Sequence, residues 1–385
     1  FLEAKIIKSA TAVIISEETL KVIVKFGLSR SKVMGIVCPG DAIWAQAAEL
    51  LGCTHIRSFA HVAASIIKVG AESCGVKKAL RKASRFAKHL ENSKAERMEC
   101  RARSNSLGVC GKLPTSYSRT HFGGSVILAQ QFILHRKSIT TPDYLPTNEE
   151  VEELEQFISA TTPVLELLIS DESNDSPASQ TLCSFAALHN HLVNINQTQM
   201  VLQLQSQLNK HYDIASNDKL LLMASYLDPR YSLLDVLSNN EAWEEIERLV
   251  EEYAESVKVT NTAVSSDLNS KSTTGSSLLA AFMLKIGKTP TQSNAKEELD
   301  EYKALIQTIR PNHDTCPVDF WKNHAHRFPR LAASARHLLA APQSSVQTER
   351  MFSRFRDICE TPKQNRLRLD TLNTMISTVA LATFQ

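Results

Sequence analysis

The chain has 385 residues, 43% hydrophobic and 22% charged, with 12 glycines and 6% aromatics. That length suits two or three domains with sizeable cores, and this composition points to helix and away from a strand-rich sandwich. A net charge of +2 excludes a polycation, so any nucleic-acid contact must come from local patches.

The first quarter alternates short apolar runs with helical patterns. "FLEAKIIK" over 1–8 fits a strand. The next stretch, with a cap at Ser9 and apolar Val13, Ile14, Leu20, Ile23 and Val24, predicts a helix that stops at Gly27. "KVMGIVC" (32–38) is β-branched and ends at Pro39-Gly40, which predicts a buried strand reaching a turn. A helix over 41–52, a strand near 55–58 and a helix over 59–69 follow. Strand and helix in alternation imply a sheet with parallel neighbours.

Helical periodicity dominates afterwards. Over 76–90, Val76, Leu80, Ala83, Ala87 and Leu90 share one face and Lys and Arg the other. Helices are predicted over 148–168, whose acidic start suits the helix dipole, over 192–212 and over 240–257. Residues 259–277 are rich in Ser, Thr and Asn and predict a disordered loop. A helix over 295–309, two more around 330–340 and 345–359, and an apolar helix near 369–383 close the chain. No internal repeat is present. Eight scattered cysteines without a CxxC pair predict reduced, intracellular thiols. No apolar run approaches the roughly 18–20 residues of a membrane span, so no membrane partner is expected.

HExxH, GxSxG, GxGxxG and GxxxxGK[ST] are all missing, which removes the best-known hydrolase and nucleotide-binding signatures. His313, Cys316, His324 and His326 offer metal-ligand types, but their spacing matches no common tetrahedral zinc site, and a turn into a helix explains them as well. From Lys77 to Arg103 the chain carries ten Lys or Arg against Glu91, Glu96 and Glu99. Such a face would neutralise phosphates without reading sequence, or simply be solvated. Near the C-terminus, "SSVQTERMFSRF" places Glu349 beside Arg350. An S-x-x-Q pair, Ser344 and Gln347, predicts a capping box, and Phe352, Phe355 and Cys359 form a narrow apolar stripe with Glu349 on its flank.

Four segments taken together, "KVMGIVCPGDAIWAQAAELLGCTHIRSFAHV" (32–62), "LLMASYLDPRY" (221–231), "FWKNHAHRFPRLAASARHLLAAP" (320–342) and "QSSVQTERMFSRFRDICETPKQNRL" (343–367), are similar to hAT-superfamily transposases and the host proteins derived from them. The resemblance runs from about Ser9 to Ala382 and is most specific in the C-terminal block. It implies an α/β ribonuclease-H-like core, here N-terminally incomplete, interrupted by a large all-α insertion, with helix dominant overall. The implied domains are 1–125 for the partial core, 126–295 for the insertion with its loop at about 258–277, and 296–385 for the hAT C-terminal dimerisation region.

The resemblance further implies a catalytic Asp-Asp-Glu set holding two metal ions, since two hard cations close together need several bridging carboxylates. Glu349 falls on the catalytic Glu. The second Asp belongs to a "TDN" triplet that here reads Cys38-Pro39-Gly40, with Asp41 two residues on and better suited to capping a helix. The chain opens at Phe1, with no DxW-like strand for the first Asp. A family CxxH pair stands as Ser58 and His61, and the family's Trp in a "TRWNS"-like context as Tyr117; no BED zinc finger is found. The expectation is therefore a domesticated or decayed transposase-like protein, catalytically inactive and nuclear, with Glu349 a remnant. It would act by homo-oligomerisation and by DNA contact through Lys77, Lys78, Arg81, Lys82, Arg85, Lys88, Tyr117 and Arg350. Phe320, Trp321, Phe328, Leu331, Leu338, Met351, Phe352 and Phe355 are the expected dimerisation residues, burying apolar surface with residues near 221–231. No cofactor is expected; the alternative, an active DNA transposase known from a fragment, would need Mg²⁺ or Mn²⁺.

Overall fold

Two β-branched runs set the one sheet found among the described residues. The structure is a computed structural model that describes residues 9–117, 121–174, 176–235, 237, 240–257, 294–349 and 374. Strand β1 (Gly35–Cys38) pairs in parallel with β2 (Thr54–Arg57), Gly35 opposite Thr54 and Cys38 opposite Arg57. Parallel neighbours need a crossover, and helix α2 (Ala42–Leu51) supplies it. A Cβ on Gly35 would lie 2.9 Å from the Thr54 carbonyl oxygen, so only glycine lets the pairing begin there. Helix α1 (Ala12–Lys25) packs on α2 through Ala12, Ile15 and Ala47, with Trp44 against them. Its cap is Thr11, whose hydroxyl accepts from the Ile14 N–H, and not Ser9. The strand expected at 1–8 lies outside the described residues.

The chain divides into two compact units, one formed by Phe1–Asp218 with Ala341–Gln385, the other by Lys219–Ala340. In the first, the sheet is followed by helices α3 (Phe59–Glu72), α4 (Cys74–Asn92), α5 (Lys94–Ser106), α6 (Gly124–His135), α7 (Asn148–Asn174), α8 (Gln180–Asn194) and α9 (Gln199–Ala215). The expected face of α4 is buried at Val76, Ala83, Ala87 and Leu90, joined by Ala79 and Phe86; Leu80 is half-buried. Helix α7 opens on a capping box: Thr147 Oγ1 accepts from the Glu150 N–H, and the Glu150 carboxylate accepts from the Thr147 N–H. Pro163 inside α7 cannot donate to the Ser159 carbonyl. His191 of α8 bonds that carbonyl instead, at 3.0 Å, and ties the two helices together.

The helix expected as continuous over 192–212 is two helices. Gln197 Nε2 donates to the carbonyls of Leu192, Val193 and Ile195, and Gln205 Nε2 adds a bond to Leu192. These bonds satisfy the otherwise orphaned carbonyls at the end of α8. Thr198 then caps α9, its hydroxyl accepting from the Val201 N–H. The polar run "NINQTQ" reads as helix by period, but its side chains compete for the backbone and break it.

The second unit comprises α10 (Lys219–Leu227), α11 (Asn240–Ser256), α12 (Ala295–Thr308), α13 (Pro317–His324) and α14 (Pro329–Leu338). Its core is aromatic: Tyr226, Trp243, Tyr302, Trp321 and Phe328 are buried and in ring contact. Tyr302 donates to the Tyr226 carbonyl at 3.1 Å, and Trp321 Nε1 to that of Leu227 at 2.7 Å. Buried Glu298 accepts the Arg330 and Leu331 N–H groups, both at 3.0 Å, so a carboxylate from α12 caps α14. The loop expected at 259–277 and the helix near 369–383, apart from helical residue 374, lie outside the described residues; of the helix at 345–359, only a turn at 346–349 is described.

Candidate functional site

After α14 the chain returns to the first unit, and a set of backbone bonds fixes where it lands. Ala178 donates to the Ala341 carbonyl and Gln343 to that of Ser176, with Pro177 and Pro342 bridged antiparallel. Phe59, the first residue of α3, donates to the Gln343 carbonyl at 3.0 Å. The turn at 346–349 therefore starts against the N-terminus of α3. The capping pair expected there is displaced. Ser344 is buried and donates to Asp171 of α7, while Ser345 takes the cap position, its carbonyl accepting from the Glu349 N–H.

Glu349 is bound on this turn by two groups. The Ser345 hydroxyl donates to its Oε1 at 3.0 Å, and His61 Nε2 lies 3.3 Å from the same oxygen. The two side chains are 36% and 27% exposed, so the pair sits at a rim and not in a sealed cavity. Ser58 completes the cluster: its Oγ accepts from the Ser345 N–H at 3.1 Å and lies 3.2 Å from the Ser345 hydroxyl. Ser58 and His61, read from sequence as the remains of one motif, thus meet Ser345 and Glu349 across 287 positions or more of chain. Phe122 closes one side, its ring edge-on to His61 at 5.2 Å.

The same corner includes the end of β1. Ser58 donates its N–H to the Cys38 carbonyl at 3.0 Å, which places the Cys38-Pro39-Gly40 triplet one hydrogen bond from the Glu349 cluster. Here the side chains change character. The Pro39 carbonyl is engaged by His55 Nε2 at 2.9 Å. Burial pushes the Cys38 thiol up to about 12, keeping it protonated and unreactive. Asp41 takes the N-cap position of α2 as expected, but its carboxylate makes no cap bond; its carbonyl accepts from Trp44 and Ala45. A two-ion centre needs several bridging carboxylates. Around Glu349 the described residues add one imidazole and two hydroxyls, and among the described residues no group of three or more His, Cys, Asp or Glu is placed to hold a metal. The donors among the described residues do not make up a set for a metal pair.

The basic run divides into paired and free cations. Lys77 pairs with Glu72. Lys82 meets buried Glu150 at 2.6 Å, with Lys78 at 3.9 Å from the same carboxylate. Burial pushes Glu150 up, but the Lys82 and Thr147 bonds and the charges of Lys82 and Lys78 outweigh it, leaving Glu150 below the usual carboxylate range. Arg81, Arg85 and Lys88 are exposed, form no ion pair among the described residues, and recur at helical spacing along one stripe of α4. Tyr117 is half-buried, its hydroxyl accepting from Gln131 at 3.2 Å and its ring edge-on to His121. Arg350, Met351, Phe352 and Phe355 lie outside the described residues.

Residues 298–379 match the hAT family C-terminal dimerisation region. In this region the chain is similar to hAT-family transposases. No curated protein matches the chain. Within this hAT region, Trp321, Phe328, Leu331 and Leu338 fill the core of the second unit, alongside Tyr226 and Leu227 of the 221–231 stretch. Phe320 is half-buried and stacks on His324 at 4.2 Å. Among the described residues of the region, the exposed large apolar side chains are Ile309 and Val318, at 66% and 54% exposure. Sequence reasoning had no reason to separate these two from the core set. It also missed Ser345 as the Glu349 partner, and Glu150 as a hub, although T-x-x-E at 147–150 was a readable sign of the latter.

Proposed function

We propose that this hAT-transposase-like protein acts by self-association through its C-terminal region and performs no phosphodiester chemistry. The observation that carries the first half is the match of residues 298–379 to the dimerisation region. The second half is supported by Pro39 at the second-Asp position and by the engagement of Glu349 with His61 and Ser345. On this reading Glu349 is a latch. It fastens the returning segment to the start of α3 with hydrogen bonds where an active relative would use the carboxylate for metal.

DNA contact is a second activity of the same protein, favoured by the unpaired stripe of Arg81, Arg85 and Lys88. Such a stripe gives sequence-independent affinity that falls steeply with salt. Sedimentation velocity of the full chain tests the central part: a concentration-dependent dimer in the micromolar range supports it, and a monomer throughout contradicts it.

A further inference from the structure

Between α5 and α6 the chain crosses the first unit as an extended segment, 109–117, that is fastened mainly by side chains. Arg101 donates to the Gly111 carbonyl, and His135 Nε2 bonds the Lys112 carbonyl at 3.1 Å. Gln131 accepts from the Thr115 N–H at 3.1 Å, and Glu91 from the Ser116 N–H at 2.7 Å and from its hydroxyl. Of these anchors, His135 is the one fully buried residue that titrates near neutrality.

Its surroundings assign its proton. A carbonyl only accepts, so Nε2 carries the hydrogen toward Lys112; Nδ1 lies 2.9 Å from the Ser104 hydroxyl, which also bonds the Cys100 carbonyl at 2.8 Å. Ser104 is buried in turn and lies 2.9 Å from buried Ser138. The charged groups around this end of α6 are cationic. Arg101 and Arg103 come from α5, with Arg103 donating to the Ser138 carbonyl; Arg136 and Lys137 follow His135 itself, and Lys112 sits on the segment. Glu96 and Glu99 are occupied by Arg103, Glu155 of α7 by Arg136, and Glu91 of α4 by Ser116. None of these carboxylates ion-pairs with His135, and the one thiol at hand, Cys100, is buried and protonated. An imidazolium here would be dry and surrounded by like charge.

We propose that segment 109–117 is a pH-sensitive strap, closed over His135 while the imidazole is neutral and freed when the imidazole takes up a proton. Residues 110–112 are exposed, so lifting them hydrates the ring while leaving the helices packed. The direction follows from linkage. Burial, and then Arg101, hold His135 below the ordinary His value against the raising effect of the Lys112 bond. The closed form is therefore favoured above the open-state value of about 6.5 and loses its advantage as the pH falls below it.

Amide hydrogen exchange of the full chain, corrected for intrinsic rates, tests this at about pH 7.5 and about pH 5.5. Protection over 109–117 is expected to fall by about tenfold at the lower pH, as a site with an open-state value near 6.5 requires. Helices α5 and α6 should keep theirs. His135→Gln, which retains a donor for Lys112 and cannot titrate, should make strap protection independent of pH. Should that variant fail to fold, NMR titration of the wild-type ring gives the same answer: its midpoint must track strap exchange. Equal strap protection at both pH values, or a ring that titrates without any change in the strap, overturns the proposal.

Discussion

Lys82 and Arg85 lie one helical turn apart on α4, yet they do different work. Lys82 neutralises Glu150, which is 5% exposed and also caps α7. Removing it strands a buried carboxylate, so Lys82→Ala is expected to cost about 3 kcal/mol. Arg85→Ala should leave stability within about 0.5 kcal/mol of wild type, as surface substitutions do. If Arg85 contacts nucleic acid, that variant weakens binding and flattens its salt dependence while the melting temperature holds. Urea denaturation and a binding titration on both variants separate the two roles. At the rim, the exposure of Glu349 and His61 limits what their pair contributes. Glu349→Gln should cost less than about 1 kcal/mol by denaturation, the range of an exposed pair. The sequence singled out Glu349 and His61 by resemblance alone; their meeting was not legible in it. Nothing in local spacing announces that Ser58 and Ser345 would bridge across the chain, because the two lie 287 positions apart.

At the scale of elements, period alone located α1, β1, α2, β2, α3, α4, α11 and α12 to within a few residues, because each has a buried stripe and a clear stop. It failed where polar side chains serve the backbone. The break between α8 and α9 is made by Gln197, Gln205 and Thr198, none of which disturbs the hydrophobic pattern. Helices α5 and α6 were missed for opposite reasons: α5 buries only Cys100 and Ser104, while α6 is apolar nearly all round. The Pro163 position shows the same economy of backbone groups. His191 takes up the carbonyl that proline leaves free, so His191→Ala should destabilise the first unit by about 1 kcal/mol, the usual net value of such a bond. A paired Pro163→Ala change, which restores the helix's own donor, should recover part of that loss in the same thermal melt.

For the molecule as a whole, the helix-dominated architecture and the hAT dimerisation region are the parts that sequence and structure agree on. Four of the eight residues expected at a dimer interface, Trp321, Phe328, Leu331 and Leu338, are buried in the core of the second unit. The distinction is testable. Leu331→Asp is expected to unfold that unit, losing more than about 3 kcal/mol. Val318→Asp or Ile309→Asp should leave the fold intact and shift the dimer to monomer in sedimentation. The central claim, self-association without phosphodiester chemistry, is tested most directly by incubating the purified protein with supercoiled DNA and Mn²⁺ or Mg²⁺ and following nicked and joined products. The account predicts no turnover in either metal, with Glu349→Ala indistinguishable from wild type. Metal-dependent nicking that Glu349→Ala abolishes would contradict it.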